Sequence, residues 1–143
     1  MKLTKEELGV LTYAREVLAK HLHQCRKLKI NPNPGSFVLS TKGKIYHGIA
    51  LDTGIRTVHG EENAIGTMCT EESEKSRIKV ILIISGTDEI SMPCGICRCV
   101  IYSYKTKKTS ILCANLSLSK VKKFTISELY PYPYIEPELS PPK

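Results

Sequence analysis

The chain has 143 residues, 41% apolar and 24% charged, a balance that excludes a disordered polyelectrolyte and suits one compact domain. No run approaches the roughly 20 apolar residues that span a bilayer, and the opening MKLTKEEL lacks a signal-peptide core, so a cytoplasmic protein with no membrane partner is expected. The net charge of +7 is dispersed over small clusters such as Lys105, Lys107, Lys108 and Lys120, Lys122, Lys123, which read as solvated surface.

Thr4-Lys5-Glu6-Glu7 fits a capping box, and Leu8, Leu11, Ala14, Leu18 and Leu22 follow at helical spacing. An amphipathic helix is therefore expected to run to about His23. Asn31-Pro32-Asn33-Pro34-Gly35 is a turn cluster. Ser36 to Thr41 and Lys44 to Ala50 read as two strands joined at Lys42-Gly43. Asp52-Thr53-Gly54 interrupts the strand pattern, so Leu51 to Val58 is expected to be a loop.

His59 to about Glu71 holds good helix formers. Ile78 to Ile84 is almost wholly apolar and β-branched, as a central strand covered on both faces should be. Cys94 to Tyr104 reads as a further helix, with Cys97, Val100, Ile101 and Tyr104 on one face, and Thr109 to Ala114 as a short strand. Thr125-Ile126-Ser127-Glu128 forms a second capping box before a turn stopped by Pro131. Five of the eight prolines fall in the last thirteen residues. The expected organisation is thus a single domain over 1–131 and an extended Pro/Tyr-rich arm over 132–143. The element order implies an α/β layer fold with a mixed sheet.

Two segments carry chemistry: Val58-His59-Gly60-Glu61-Glu62-Asn63-Ala64-Ile65 and Met92-Pro93-Cys94-Gly95-Ile96-Cys97-Arg98. Together they read H-x-E followed by P-C-x-x-C, the pattern of zinc nucleobase deaminases. A catalytic zinc commonly takes three protein ligands and leaves a fourth position open. Cys94 and Cys97 at a helix start place two thiolates on one side of one turn, and His59 at the start of another helix can supply the third ligand. Both helix starts favour negative charge. Glu61, two residues after His59, lies beside the metal without ligating it and can move protons. The other cysteines, 25, 69, 99 and 113, are not expected to form disulfides in a protein without a secretory signal. Cys25, Cys69 and Cys113 read as small hydrophobes, and Cys99 points away from the ligand pair.

The chain resembles the cytidine deaminase family, including its blasticidin-S deaminase branch. Pro93-Cys94-Gly95-Ile96-Cys97-Arg98 matches the family's P-C-G-x-C-R, Lys42-Gly43-Lys44-Ile45-Tyr46-His47-Gly48 resembles D-G-x-I-F-T-G, and Glu128-Leu129-Tyr130-Pro131 resembles E-L-L-P. The resemblance implies a three-layer fold whose five-stranded mixed sheet carries the zinc-binding helices on one face. It further implies hydrolysis of a cytosine-type nucleoside to the uracil product and ammonia, a role in pyrimidine salvage, and a homotetramer or dimer. The aromatic residue after E-L-L-P, which covers a neighbouring subunit's active site in the family, corresponds to Tyr134.

Three departures bear on the substrate. The first ligand is His59 where tetrameric members have Cys. The Asn and Glu that hold the ribose hydroxyl fall on Ala50 and Asp52, and Ala50 has no side-chain hydrogen bond to offer. The segment from Gly48 to His59 is two residues shorter than in cytidine deaminases and matches the blasticidin-S branch. A related substrate, such as another aminated heterocycle, dCMP or a polynucleotide base, is the alternative, with Arg56 as a phosphate contact. A non-catalytic zinc module that binds nucleic acid would not need Glu61 and would interleave aromatic with basic residues, yet aromatics are 6% of the chain.

Overall fold

In a computed structural model, which describes residues 1–135, the first element is helix α1, Lys5–Leu28. Thr4 Oγ1 accepts the Glu7 N–H at 3.2 Å and the Glu7 carboxylate accepts the Thr4 N–H at 2.8 Å, closing the expected capping box. The helix runs one turn beyond His23 because Cys25, three residues after Leu22, continues the buried stripe, and Arg26 and Lys27 suit a helix C-terminus. Leu8 is exposed; Val10 takes its place in the core.

The strands are β1 (Ser36–Ser40), β2 (Ile45–Gly48), β3 (Leu51–Asp52), β4 (Thr57–Val58), β5 (Ile78–Ile84), β6 (Lys105–Ala114) and β7 (Val121–Phe124). The remaining helices are α2 (Gly60–Glu71), α3 (Gly95–Tyr104) and α4 (Ile126–Leu129). Five strands form one mixed sheet in the order β2-β1-β5-β6-β7, with β5 and β6 parallel and the other pairs antiparallel. The segment expected to be a loop contains the small β3–β4 hairpin. Strand β7 was not expected, and β6 begins at Lys105 rather than Thr109, directly after α3.

Side-chain alternation splits the central strands between two cores. Phe37, Leu39, Val80, Leu82, Ile84 and Leu112 pack against Val10, Leu11, Ala14 and Leu18 of α1. Val38, Ile81, Ile83, Ile111 and Cys113 face Ala64, Ile65, Met68 and Ile101 of α2 and α3. Each such side chain taken from water contributes about 1.5–3 kcal/mol before entropy. The result is the expected three-layer α/β fold, with α2 and α3 together on one face. Among the described residues no helix is long and apolar enough to cross a membrane. Of the arm expected over 132–143, residues 136–143 lie outside the described residues.

Candidate active site

Helices α2 and α3 both begin beside the C-terminal end of β5, and this brings the two motifs together. His59 is the N-cap of α2 and Cys94 the N-cap of α3. His59 Nδ1 lies 3.1 Å from Cys94 Sγ and 3.2 Å from Cys97 Sγ, and all three ligand atoms fall within 4.8 Å of one another. Zinc bonds of about 2.0–2.3 Å hold tetrahedral ligands at comparable spacing. Cys97 is fully buried. Burial, with the nearby Glu61 carboxylate, pushes its thiol well above the ordinary range, so a thiolate there calls for a cation. One nitrogen and two sulfurs, two of them at helix N-termini, form a donor set that zinc fits.

Glu61 follows in the first turn of α2 and is nine-tenths buried. Behind it, burial first and Glu61 second push the Cys113 thiol up to about 12, so Cys113 stays an uncharged core side chain, as expected. Cys25 is also buried, whereas Cys69 is partly exposed and packs on the edge of the α2–α3 core.

A cleft of about 410 Å³ opens over these groups, lined by His59, Gly60, Glu61 and Cys94 together with Asn33, Ala50, Ser85 and Ser91. No lysine or arginine is among its described lining residues. Beside it runs a seam of three glycines packed backbone to backbone, of which Gly35 and Gly60 line the cleft. A Cβ on Gly35 (φ 70°) would collide with the Gly48 carbonyl, one on Gly48 with the Ala64 nitrogen, and one on Gly60 would sit 2.9 Å from Gly35 Cα.

Of the substrate contacts expected from sequence, only Ala50 lines this cleft. Asp52 is exposed, and its carboxylate accepts the Gly54 N–H within its own turn at 2.9 Å. Arg56 is exposed on the same hairpin, its carbonyl accepting from Thr53. Tyr134 is 68% exposed, its N–H donating to Tyr130 Oη.

Three residues with structural parts here were not picked out from sequence. The Glu62 carboxylate accepts the His59 N–H at 2.9 Å; the signal was H-G-E-E, a capping box with His in the cap position. Arg98 donates from Nε to the Pro93 carbonyl and from Nη1 to the Leu129 carbonyl, tying the P-C-G-x-C-R loop to α4. Asn33, read as a turn residue, lines the cleft and donates from Nδ2 to the Ala50 carbonyl at 2.7 Å.

Residues 10–113 match the family model for the cytidine and deoxycytidylate deaminase zinc-binding region. No curated protein sequence matches the chain. Solved structures with a similar fold include cytidine deaminase from Burkholderia pseudomallei, 19% identical over 70% of this chain and 80% of that one, with a TM-score of 0.61. Cytidine deaminase from Mycobacterium tuberculosis is 18% identical over 71% and 78%, with a TM-score of 0.58. That from Mycobacterium leprae is 18% identical over 68% and 77%, with a TM-score of 0.55.

Proposed function

Because the chain belongs to the cytidine and deoxycytidylate deaminase zinc-binding family, a family of zinc-dependent hydrolytic deaminases, we propose that it removes the exocyclic amine from an uncharged, cytosine-type aminopyrimidine. His59, Cys94 and Cys97 would hold the zinc. When bound, zinc supplies Lewis acidity that lets water ionise near pH 7. Glu61 takes the proton of the attacking water and passes protons to the ring nitrogen and the departing amine. A C–O bond forms, the C–N bond breaks, and ammonia leaves, so water and the amine balance the uracil-type product and ammonia without a further reactant.

The observation that carries the substrate class is that no lysine or arginine is among the described residues lining the cleft. Glu61 is a lone carboxylate there, and no described cation lines the walls to meet a phosphate. Away from the metal, a phosphate held against these walls would lose its water with no cationic side chain to meet it. Lys107, Lys108 and Lys123, which make part of the excess positive charge, line a different cavity beside the start of α1. This favours a nucleoside or neutral heterocycle over a nucleotide or polynucleotide. Ammonia release should be measured with cytidine, deoxycytidine, their monophosphates, blasticidin S and single-stranded DNA. Neutral substrates turned over with the monophosphates much poorer is the expected result; preference for a monophosphate overturns it.

We further propose a homo-oligomer in which the 132–143 arm of one subunit places Tyr134 near a neighbouring cleft. Exposed Tyr132, Tyr134 and Ile135 support this.

A further inference from the structure

One wall of the cleft is the continuous stretch from Pro32 to Ser36. Pro32 and Pro34 have no main-chain N–H to give, so the stretch depends on bonds from elsewhere. Two histidines on different elements supply them. The Asn33 N–H donates to His21 Nε2 of α1 at 3.0 Å, and His47 Nε2 of β2 lies 2.7 Å from the Pro34 carbonyl. Asn33 Nδ2 passes the restraint on to the Ala50 carbonyl at 2.7 Å, so two cleft residues follow the Asn33 backbone.

The main-chain partners fix where the ring protons sit. A backbone N–H can only donate, so His21 Nε2 is the bare, accepting nitrogen. A carbonyl can only accept, so His47 Nε2 carries a proton. The two rings therefore answer acid in opposite ways. His47 keeps its bond to Pro34 whether neutral or charged, whereas His21 keeps its bond to Asn33 only while neutral. Once His21 is protonated, its Nε2–H meets the Asn33 N–H donor against donor. Cys25 Sγ, 3.4 Å away, is then a weak acceptor for the ring, and the Asn33 N–H has no other partner among the described residues. We propose that His21 is a positioning residue: its neutral ring holds the Asn33 wall of the cleft, and protonating it releases that wall and weakens substrate binding. The inference rests on the deaminase reading above for the substrate that the wall serves.

The groups that face the His21 ring are Cys25 on its own helix, uncharged Asn33 of the loop and His47 of β2. Among the described residues no carboxylate pairs with either histidine, so nothing of opposite charge compensates a second proton here. Burial, opposed by the Pro34 bond and aided by repulsion from His21, holds His47 below the ordinary histidine range. His47 also stacks on Phe37 of β1, ring centroids 4.1 Å apart, and so stays fixed while the bond from His21 comes and goes.

The test uses zinc-loaded full-length protein between about pH 7.5 and 5.5, the span over which histidines ordinarily change charge. NMR follows the His21 ring and the protection of the Asn33 amide against hydrogen exchange, and ammonia release from cytidine gives KM and kcat. In wild type, Asn33 protection should fall about tenfold as the ring charges, the upper range for one neutral hydrogen bond, and KM should rise by a similar factor. His21→Gln, whose side-chain oxygen accepts without titrating, should hold protection and KM level across the range while its kcat follows pH as wild type does. His21→Ala should show the weakened values throughout; if it does not fold, the glutamine variant decides. Asn33 protection that ignores the ring's titration overturns the inference, as does a KM in His21→Gln that rises with acid like that of wild type. Absence of ammonia release from every substrate would sink the deaminase reading alone, since the Asn33 amide still judges His21.

Discussion

The Glu62 carboxylate accepts the main-chain N–H of His59 at 2.9 Å, so the residue that starts α2 and offers a ligand nitrogen is held by a side chain three positions ahead. In the fold Glu62 fixes the backbone that aims the imidazole. Loss of such a supporting bond typically costs ~10–100-fold in metal affinity. Glu62→Ala should therefore release zinc at lower chelator concentration than wild type, while Glu62→Gln, which can still accept the N–H, should stay close to it. Competition with a chromophoric chelator checks both. Equal zinc affinity in all three proteins would remove Glu62 from the site's support.

Glu61 is expected to behave in the opposite way. Its carboxylate is buried beside the cleft and belongs to no capping bond, so Glu61→Gln should retain zinc and melting temperature. Turnover should fall by ~10²–10⁴-fold, the usual loss for an acid–base group. Near-normal turnover would require another proton carrier in the cleft.

The glycine seam gives a prediction about stability with an internal control. Gly48→Ala puts a methyl group into the Ala64 main chain, and Gly35→Ala adds both a collision and a strained positive φ. Overpacking of this kind costs about 1–3 kcal/mol, and more when only backbone can yield. Gly9 and Gly66 lie on exposed helix surface with nothing within 4 Å of a new Cβ, so alanine there should stabilise by about 0.5–1 kcal/mol. Thermal unfolding of the four variants should split them into two pairs of opposite sign.

Much of this architecture was legible because each signal was local. Ile78–Ile84 appears as read, and α2 and α3 each begin one residue after the expected His59 and Cys94, which serve as their caps. The H-x-E and P-C-x-x-C segments meet because both helices start at the end of one central strand. Strand β7 was illegible: in Val-Lys-Lys-Phe the two lysines are exposed and the flanking apolar groups only partly covered, so a sheet edge carries no alternating pattern. Asp52 was assigned by motif offset, but the β3–β4 hairpin turns it to solvent. Asn33 was illegible for the converse reason, since its bonds to His21 and Ala50 span 12 and 17 residues.

That same unrecognised strand carries an acid-sensitive tie. Lys123 Nζ of β7 lies 2.8 Å from the Glu7 carboxylate, which is 2% exposed. Burial alone would raise the Glu7 pKa; the bonds from Lys123 and the Thr4 N–H, with the Ser110 side chain close by, outweigh it, leaving the carboxyl below its usual range. A lowered folded pKa means that the unfolded chain binds more protons in acid. The contribution is full above the unfolded value of about 4.3 and is lost as pH falls through the folded one. Glu7→Gln should cost about 1–3 kcal/mol at pH 7, and the gap to wild type should close below about pH 4. Denaturant titrations at the two pH values decide it; a gap unchanged by pH would mean that the ionic tie contributes nothing.

The C-terminal arm is tested by removing it. Tyr132, Tyr134 and Ile135 are exposed at 92%, 68% and 69%, a concentration of large apolar side chains that a free chain end has no reason to keep. The Tyr130 hydroxyl accepts the Tyr134 N–H at 3.0 Å, and Pro131 and Pro133 stiffen the two steps between, so the arm leaves α4 in a defined direction. Met92 at the cleft and Ile96 on α3 are exposed as well and offer a neighbour's aromatic residue an apolar landing. An aromatic cover would exclude water from a small neutral substrate and strengthen the electrostatics around Glu61. Truncation after Pro131 should leave zinc content and the melting of the domain near wild type, while raising KM or shifting sedimentation to a smaller species. A truncated protein with unchanged kinetics and unchanged size in solution would leave Tyr134 an ordinary chain terminus.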